Sequence, residues 1–245
     1  MAERIDNSKT KIAGVLGGMG PDATIDFMSK VISITPADTD QEHVRMLVDH
    51  NPKVPDRQVD TDEQRLAVRE SLADMALGLE AAGSDFLVMP CNTAHGFCDL
   101  AVEKITIPFV SIIVETVAAV RDVDPDAATV GILATDACLK AGLYQSAIHD
   151  AGMKILLPSP SEQEKVMRLV FRIKAGDQSS DVAHEMSNIA NSLIQHGADV
   201  LIAGCTEIPL VLSPERMTVP CISSTDVLAE RTVALCHGDL PLPAK

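Results

Sequence analysis

Gly83-Ser84-Asp85-Phe86-Leu87-Val88-Met89-Pro90-Cys91-Asn92-Thr93 and Gly197-Ala198-Asp199-Val200-Leu201-Ile202-Ala203-Gly204-Cys205-Thr206-Glu207 carry one pattern twice. Each runs Gly, a small residue, Asp, an apolar stretch, and then Cys followed by a small polar side chain. A short apolar run that ends in such a turn reads as a buried strand and the loop after it. In open α/β sheets, ligands bind beyond the carboxyl ends of the strands. The pattern therefore sets one thiol at the mouth of each of two similar halves.

The repeat extends outward. Lys11-Ile12-Ala13-Gly14-Val15-Leu16-Gly17-Gly18 is matched by Ala128-Thr129-Val130-Gly131-Ile132-Leu133-Ala134-Thr135, and Ile107-Pro108-Phe109-Val110-Ser111 by Val219-Pro220-Cys221-Ile222-Ser223. The three landmarks recur in one order at a spacing of roughly 110 residues, the size of a small domain.

Strands are predicted at residues 12–18, 44–49, 86–89 and 107–113, then at 129–134, 154–157, 200–203 and 220–223. Helices are predicted from Pro21, over 61–82 with a stop at Gly83, over about 94–104, and at about 137–151, 161–175, 181–196 and 226–237. This alternation implies an α/β fold. Two similar Rossmann-like lobes with parallel sheets, related by a pseudo-two-fold, would enclose a cleft between them. One lobe is expected to hold residues 1–110 plus about 224–245, with Cys91, and the other 111–223, with Cys205. The crossover lies near 108–115, and the C-terminal helix returns to the first lobe.

Composition excludes several classes. A net charge of −15 argues against a nucleic-acid partner, which needs a basic footprint. Aromatic content of 2% leaves no stacking platform for bases. Residues 1–10 lack the apolar core of a leader, and no run reaches the length of a membrane span. The expectation is a cytoplasmic protein away from membranes. Its six cysteines are irregularly spaced, which reads as free thiols in a reducing compartment. Without a Cys-x-x-Cys pair, no metal site is expected.

Cys91 and Cys205 have a bland alternative, since cysteine often packs as a small hydrophobe. Their equivalent strand-end positions favour chemistry, and a helix N-terminus after each would lower the thiol pKa. Cys98, Cys138, Cys221 and Cys236 lack this context and read as packing residues. Gly18-Met19-Gly20-Pro21-Asp22-Ala23 formally fits a dinucleotide fingerprint but equally fits a Gly-rich turn exposing amides to a carboxylate. Asn51 and Arg57 lie in a Pro-stiffened loop after the second strand. Arg57 suits bidentate carboxylate recognition, against the alternative of a solvated surface arginine. Lys174 is a second cation or merely a favourable helix-end charge. His95 reads as packed or hydrogen-bonded, and Glu207 as support for Cys205 or for a bound ammonium.

Gly14–Thr24, Val54-Pro55-Asp56-Arg57, Met89-Pro90-Cys91-Asn92-Thr93-Ala94-His95 and Ala203-Gly204-Cys205-Thr206-Glu207-Ile208-Pro209-Leu210 together resemble the aspartate/glutamate racemase family, its aspartate branch most. Glutamate racemases typically carry His where this chain has Glu207. The resemblance spans about residues 11–237. It implies racemisation of aspartate, with glutamate as a further substrate, without any cofactor, with Cys91 and Cys205 as the acid/base pair. It also implies a homodimer, and substrate held by Met19, Arg57, Asn92, Thr93, Thr135, Lys174 and Thr206, with Met19 giving mainly backbone and wall. Ala134-Thr135-Asp136-Ala137-Cys138 departs from the family's Ala-Thr-x-Gly-Thr and brings an acid toward the cleft rim. Two alternatives stand beside this reading. One is a related cysteine-dependent isomerase of another small carboxylic or amino acid. The other is a non-catalytic protein that binds an acidic metabolite.

Overall fold

A computed structural model describes residues 10–59 and 61–244; the leader expectation for residues 1–10 falls almost wholly outside them. The first half runs β1 (Ala13–Gly17), α1 (Pro21–Ile34), β2 (Met46–His50), α2 (Asp62–Ala81), β3 (Phe86–Val88), α3 (Asp99–Lys104), β4 (Phe109–Val110) and α4 (Ile112–Val123). The second runs β5 (Thr129–Leu133), α5 (Asp136–Lys140), α6 (Leu143–Asp150), β6 (Lys154–Leu156), α7 (Pro160–Lys174), α8 (Ser180–Gln195), β7 (Val200–Ala203), β8 (Cys221–Ser223) and α9 (Ser224–His237). Each half forms a four-stranded parallel sheet, ordered β2-β1-β3-β4 and β6-β5-β7-β8. The fold is the expected two-lobed α/β arrangement. Among the described residues, no helix is long and apolar enough to cross a membrane.

The repeated sequence features have repeated structural causes. Gly83 and Gly197 follow α2 and α8 at φ +97° and +98°, a left-handed backbone that favours glycine. The aspartates two residues later stitch adjacent strands together. Asp85 accepts from the Ile12 N–H at 2.6 Å, and Asp199 from the Ala128 and Thr129 N–H groups at 3.0 and 2.8 Å. Asp199→Ala is expected to lower stability by about 1–2 kcal/mol, visible as a lower urea midpoint. Ser111 and Ser223 cap α4 and α9 through the N–H groups of Val114 and Asp226.

Strand alternation divides the interior. Val15, Phe86 and Val88 face a central core shared with Val130, Val200 and Ile202, whereas Leu16 and Leu87 face α2, and Leu201 faces α7 and α8. Helix α9 packs on α1 and on α4, and α4 packs on α6. The Lys11 N–H donates to the Cys236 carbonyl at 2.9 Å, tying α9 to the start of the first half.

Two expectations need correction. The strand expected over 107–113 is only Phe109–Val110, because the Ser111 cap starts α4 at Ile112. The single helix expected over 137–151 is split into α5 and α6 by Gly142 at φ +68°.

Candidate active site

Both repeated turns open at the carboxyl ends of their strands, Cys91 after β3 and Cys205 after β7. They line one small cavity of about 60 Å³ together with Arg57, Asn92, Thr93, Thr135, Lys174, Thr206 and Glu207. Arg57 arrives on the loop after β2, where its Nη1 donates to the carbonyls of Pro55 (3.0 Å) and Val54 (3.3 Å). Lys174 ends α7, whose Met167, Val170 and Phe171 make an apolar wall. Two expected residues are not among those lining the cavity. The Met19 side chain is packed in the first lobe's core, and Asn51 uses its Oδ1 to accept from the Lys53 N–H at 3.0 Å.

The two halves are joined across the site by hydrogen bonds. Thr93 and Thr135 share one between their hydroxyls at 2.8 Å. Asn92 donates from Nδ2 to Ser224 (2.9 Å) and accepts at Oδ1 from the Tyr144 hydroxyl (2.8 Å), while Ser224 donates to the Ala203 carbonyl (3.0 Å). Tyr144 is fully buried, and its ring lies so close to the Cys205 turn that a Cβ on Gly204 would sit 2.8 Å from it. Tyr144 and Ser224 were not anticipated from the sequence. Their partners lie 52 and 132 positions away, so no local pattern marks them. The apolar wall was legible in principle. Met167, Phe171 and Lys174 form a second stripe along α7, beside the core stripe of Val166, Leu169, Val170 and Ile173.

Both thiols are nearly sealed from solvent, with Cys91 5% and Cys205 4% exposed. The expected lowering of their pKa by helix N-termini does not occur. Burial pushes Cys91 up, against the opposing fields of Arg57 and Lys174. Burial pushes Cys205 further, aided by Glu207, whose Oε2 accepts the thiol hydrogen at 3.0 Å. The turns lead into short 3-10 segments rather than α-helices, so dipole support is weak and desolvation dominates. Burial pulls Lys174 down, but its 2.5 Å ion pair with Glu207 and the nearby sulfurs outweigh this and hold it above its ordinary value. The other four cysteines are free thiols raised by burial, Cys98 and Cys221 to about 11, Cys138 and Cys236 to about 12.

Asp136 does not line the cavity. Its Oδ1 accepts from Gln163 Nε2 at 2.8 Å, on the side of an outer groove.

His95 is structural. Its Nε2 accepts from the Ile112 N–H (3.2 Å), so Nδ1 carries the proton and donates to the Cys91 carbonyl (2.9 Å). Burial holds its pKa down at about 4, against an ordinary 6.5. The unfolded chain therefore takes the proton first on acidification. His95 costs nothing above pH 6.5, and stability falls by on the order of 3 kcal/mol as pH drops to about 4. Urea midpoints should decline across that window, and less steeply in His95→Gln.

Comparison with known proteins agrees with this architecture. The broad specificity amino-acid racemase RacX of Bacillus subtilis (strain 168) is 29% identical over 227 residues, 90% of this chain and 96% of the relative. Picrophilus torridus aspartate racemase has the same fold at a TM-score of 0.81 and 28% identity, covering 93% of this chain and 94% of that one. Glutamate racemase from Francisella tularensis subsp. tularensis SCHU S4, solved with D-glutamate, shares the fold at a TM-score of 0.69 and 18% identity, covering 97% and 85%. The model of the Asp/Glu/Hydantoin racemase family matches residues 16–232, and the chain belongs to that family of enzymes.

Proposed function

We propose that the chain racemises a small acidic amino acid, aspartate before glutamate, without a cofactor, using Cys91 and Cys205 as opposed acid and base. The observation that carries this is the meeting of one buried thiol from each half in one cavity, with Arg57 and Lys174 beside them. Inversion at the α-carbon needs a proton removed from one face and another delivered to the opposite face. A thiolate abstracts, the other sulfur donates, and the roles exchange in reverse. The developing enolate is stabilised by fixed donors in a water-poor cavity. The Thr93, Thr135 and Thr206 hydroxyls and the second Asn92 amide hydrogen can serve the α-carboxylate, and Arg57 and Lys174 the distal one. Arg57→Ala should raise KM for aspartate roughly 10- to 100-fold with a smaller change in kcat. Steady-state kinetics check this, and unchanged values would remove Arg57 from the site.

A second reading is favoured by the Met167–Val170–Phe171 wall and by the engagement of Lys174 with Glu207: substrates with uncharged side chains. Incubation with a panel of L- and D-amino acids, followed by chiral chromatography, separates the two. Turnover confined to aspartate and glutamate supports the first, and faster turnover of neutral amino acids the second. The lobe bounds 1–110 plus about 224–245 and 111–223, a cytoplasmic location and a homodimer belong to the same proposal; sedimentation would test the dimer.

A further inference from the structure

Gly17-Gly18-Met19-Gly20-Pro21 turns the chain from β1 into α1, and its three glycines answer to different needs. A Cβ on Gly17 would fall 2.6 Å from the buried Thr24 side chain. Gly18 has φ +90°, and a Cβ there would meet the Asn51 backbone at 2.5 Å. Both are required by the fold. Gly20 has an extended backbone at φ −92° and ψ 170°, which any residue adopts. Apart from its chain neighbours, a Cβ there would meet two atoms within 4 Å among the described residues: Glu207 Oε1 at 3.0 Å and Lys174 Nζ at 3.8 Å. Gly20 cannot retreat from them. Its carbonyl accepts from the Thr24 N–H at 3.2 Å and from the Thr24 hydroxyl at 3.0 Å, and that hydroxyl accepts from the Gly18 N–H at 2.8 Å.

We infer that Gly20 is a specificity-determining residue: the space left by its missing side chain is where Glu207 holds the Lys174 ammonium, and that hold keeps the site open to substrates whose side chains carry no charge. The inference rests on the racemase reading above and deepens it. Lys174 and Glu207 line both the inner cavity and an outer pocket of about 550 Å³, whereas Gly20 lines the outer pocket alone. Their 2.5 Å ion pair therefore stands in the wall between the two, with the ammonium reaching the Gly20 side. A lysine ammonium is a compact charge on a flexible stem, so it can exchange one carboxylate for another. Without Glu207 it would face an uncharged substrate as a half-buried cation lacking a partner, a costly arrangement. Held by Glu207 it is neutralised, and an uncharged side chain meets no unpaired charge. An acidic substrate must win the ammonium from Glu207, so one carboxylate replaces another and the gain is small. Specificity is a difference of affinities, and the internal carboxylate narrows that difference. A side chain at position 20 pushes Oε1 aside, because the backbone there is pinned and the ion pair is the part that yields. The ammonium then loosens from its internal partner and favours the carboxylate of a substrate.

The test compares kcat/KM for aspartate with kcat/KM for asparagine, its uncharged isostere, by chiral chromatography on one preparation of each variant. The ratio of the two cancels any loss of folded enzyme and any effect on proton transfer common to both substrates. Gly20→Ala should raise the aspartate-to-asparagine ratio by about tenfold or more, the scale of one charge-assisted hydrogen bond. Glu207→Gln releases the ammonium without touching Gly20 and should move the ratio the same way. In a Lys174→Met background, Gly20→Ala should leave the ratio within about twofold, since the residue through which it acts is gone. An unchanged or lowered ratio in either single variant overturns the inference, as does a rise in Gly20→Ala that persists in Lys174→Met. Wild-type turnover of aspartate with none of asparagine also overturns it and leaves the racemase reading standing. Racemisation of neither amino acid overturns the reading of the site as one for acidic amino acids, and the inference with it.

Discussion

Cys91→Ser and Cys205→Ser should each lower racemisation by roughly 10³-fold or more, while each keeps α-proton exchange with a single enantiomer. Both thiols are buried in the same cavity, so neither can be replaced by bulk water as the proton carrier. A serine hydroxyl is a far weaker acid than a thiol and cannot supply the missing base or acid at neutral pH. The remaining cysteine can still remove a proton and return a deuteron to the face it came from. Chiral chromatography reports the lost inversion, and NMR in deuterated water reports the surviving exchange. Undiminished racemisation by either variant would end the two-base assignment. The substitution is nearly isosteric, so thermal melting should change little and separate loss of chemistry from loss of fold.

The largest stability effect is expected at Tyr144. Its ring is fully buried among the central core residues and lies against Gly204, and its hydroxyl donates to Asn92 across the lobes. Tyr144→Ala should cost about 3–5 kcal/mol, the range for deleting a buried aromatic side chain. For a chain of this size that lowers Tm by on the order of 10 °C. Tyr144→Phe keeps the packing but leaves the buried Asn92 Oδ1 without this donor, a loss of about 1–3 kcal/mol. Because Asn92 adjoins Cys91, kcat should fall in the Phe variant even at temperatures where it is fully folded. A Phe variant with wild-type melting and wild-type kcat would show that the hydroxyl bridges nothing of consequence.

The fold was readable because each strand is a short apolar run closed by Gly, Pro or Cys, and because the run occurs twice with the same Gly and Asp before it. Those residues have local duties: Gly83 and Gly197 end helices, and Asp85 and Asp199 hold strands in register. Reading failed where one feature masked another. Ser111 sits inside an apolar stretch, so the start of α4 looked like more strand. The two cysteines, Arg57, Lys174 and the site threonines converge as the motifs suggested. The Met19 side chain does not, because it belongs to the layer between β1 and α2. The thiols' acidity was misjudged for a similar reason: sequence shows a turn before a helix but not the depth of its burial. Tyr144, Ser224 and the α7 wall belong to contacts made only when distant segments meet.

The unequal surroundings of Cys91 and Cys205 have a thermodynamic consequence. Enantiomers have equal free energy in an achiral solvent, so the equilibrium constant between them is one whatever the protein does. The Haldane relation then forces equal kcat/KM for both enantiomers, in this chain and in every variant of it. A lopsided pair of bases can therefore show itself only in kcat and KM separately, each rising or falling in step for a given enantiomer. A racemic mixture is the fixed end point; unequal surroundings of the two sulfurs bear only on how quickly, and through which saturated complex, it is approached.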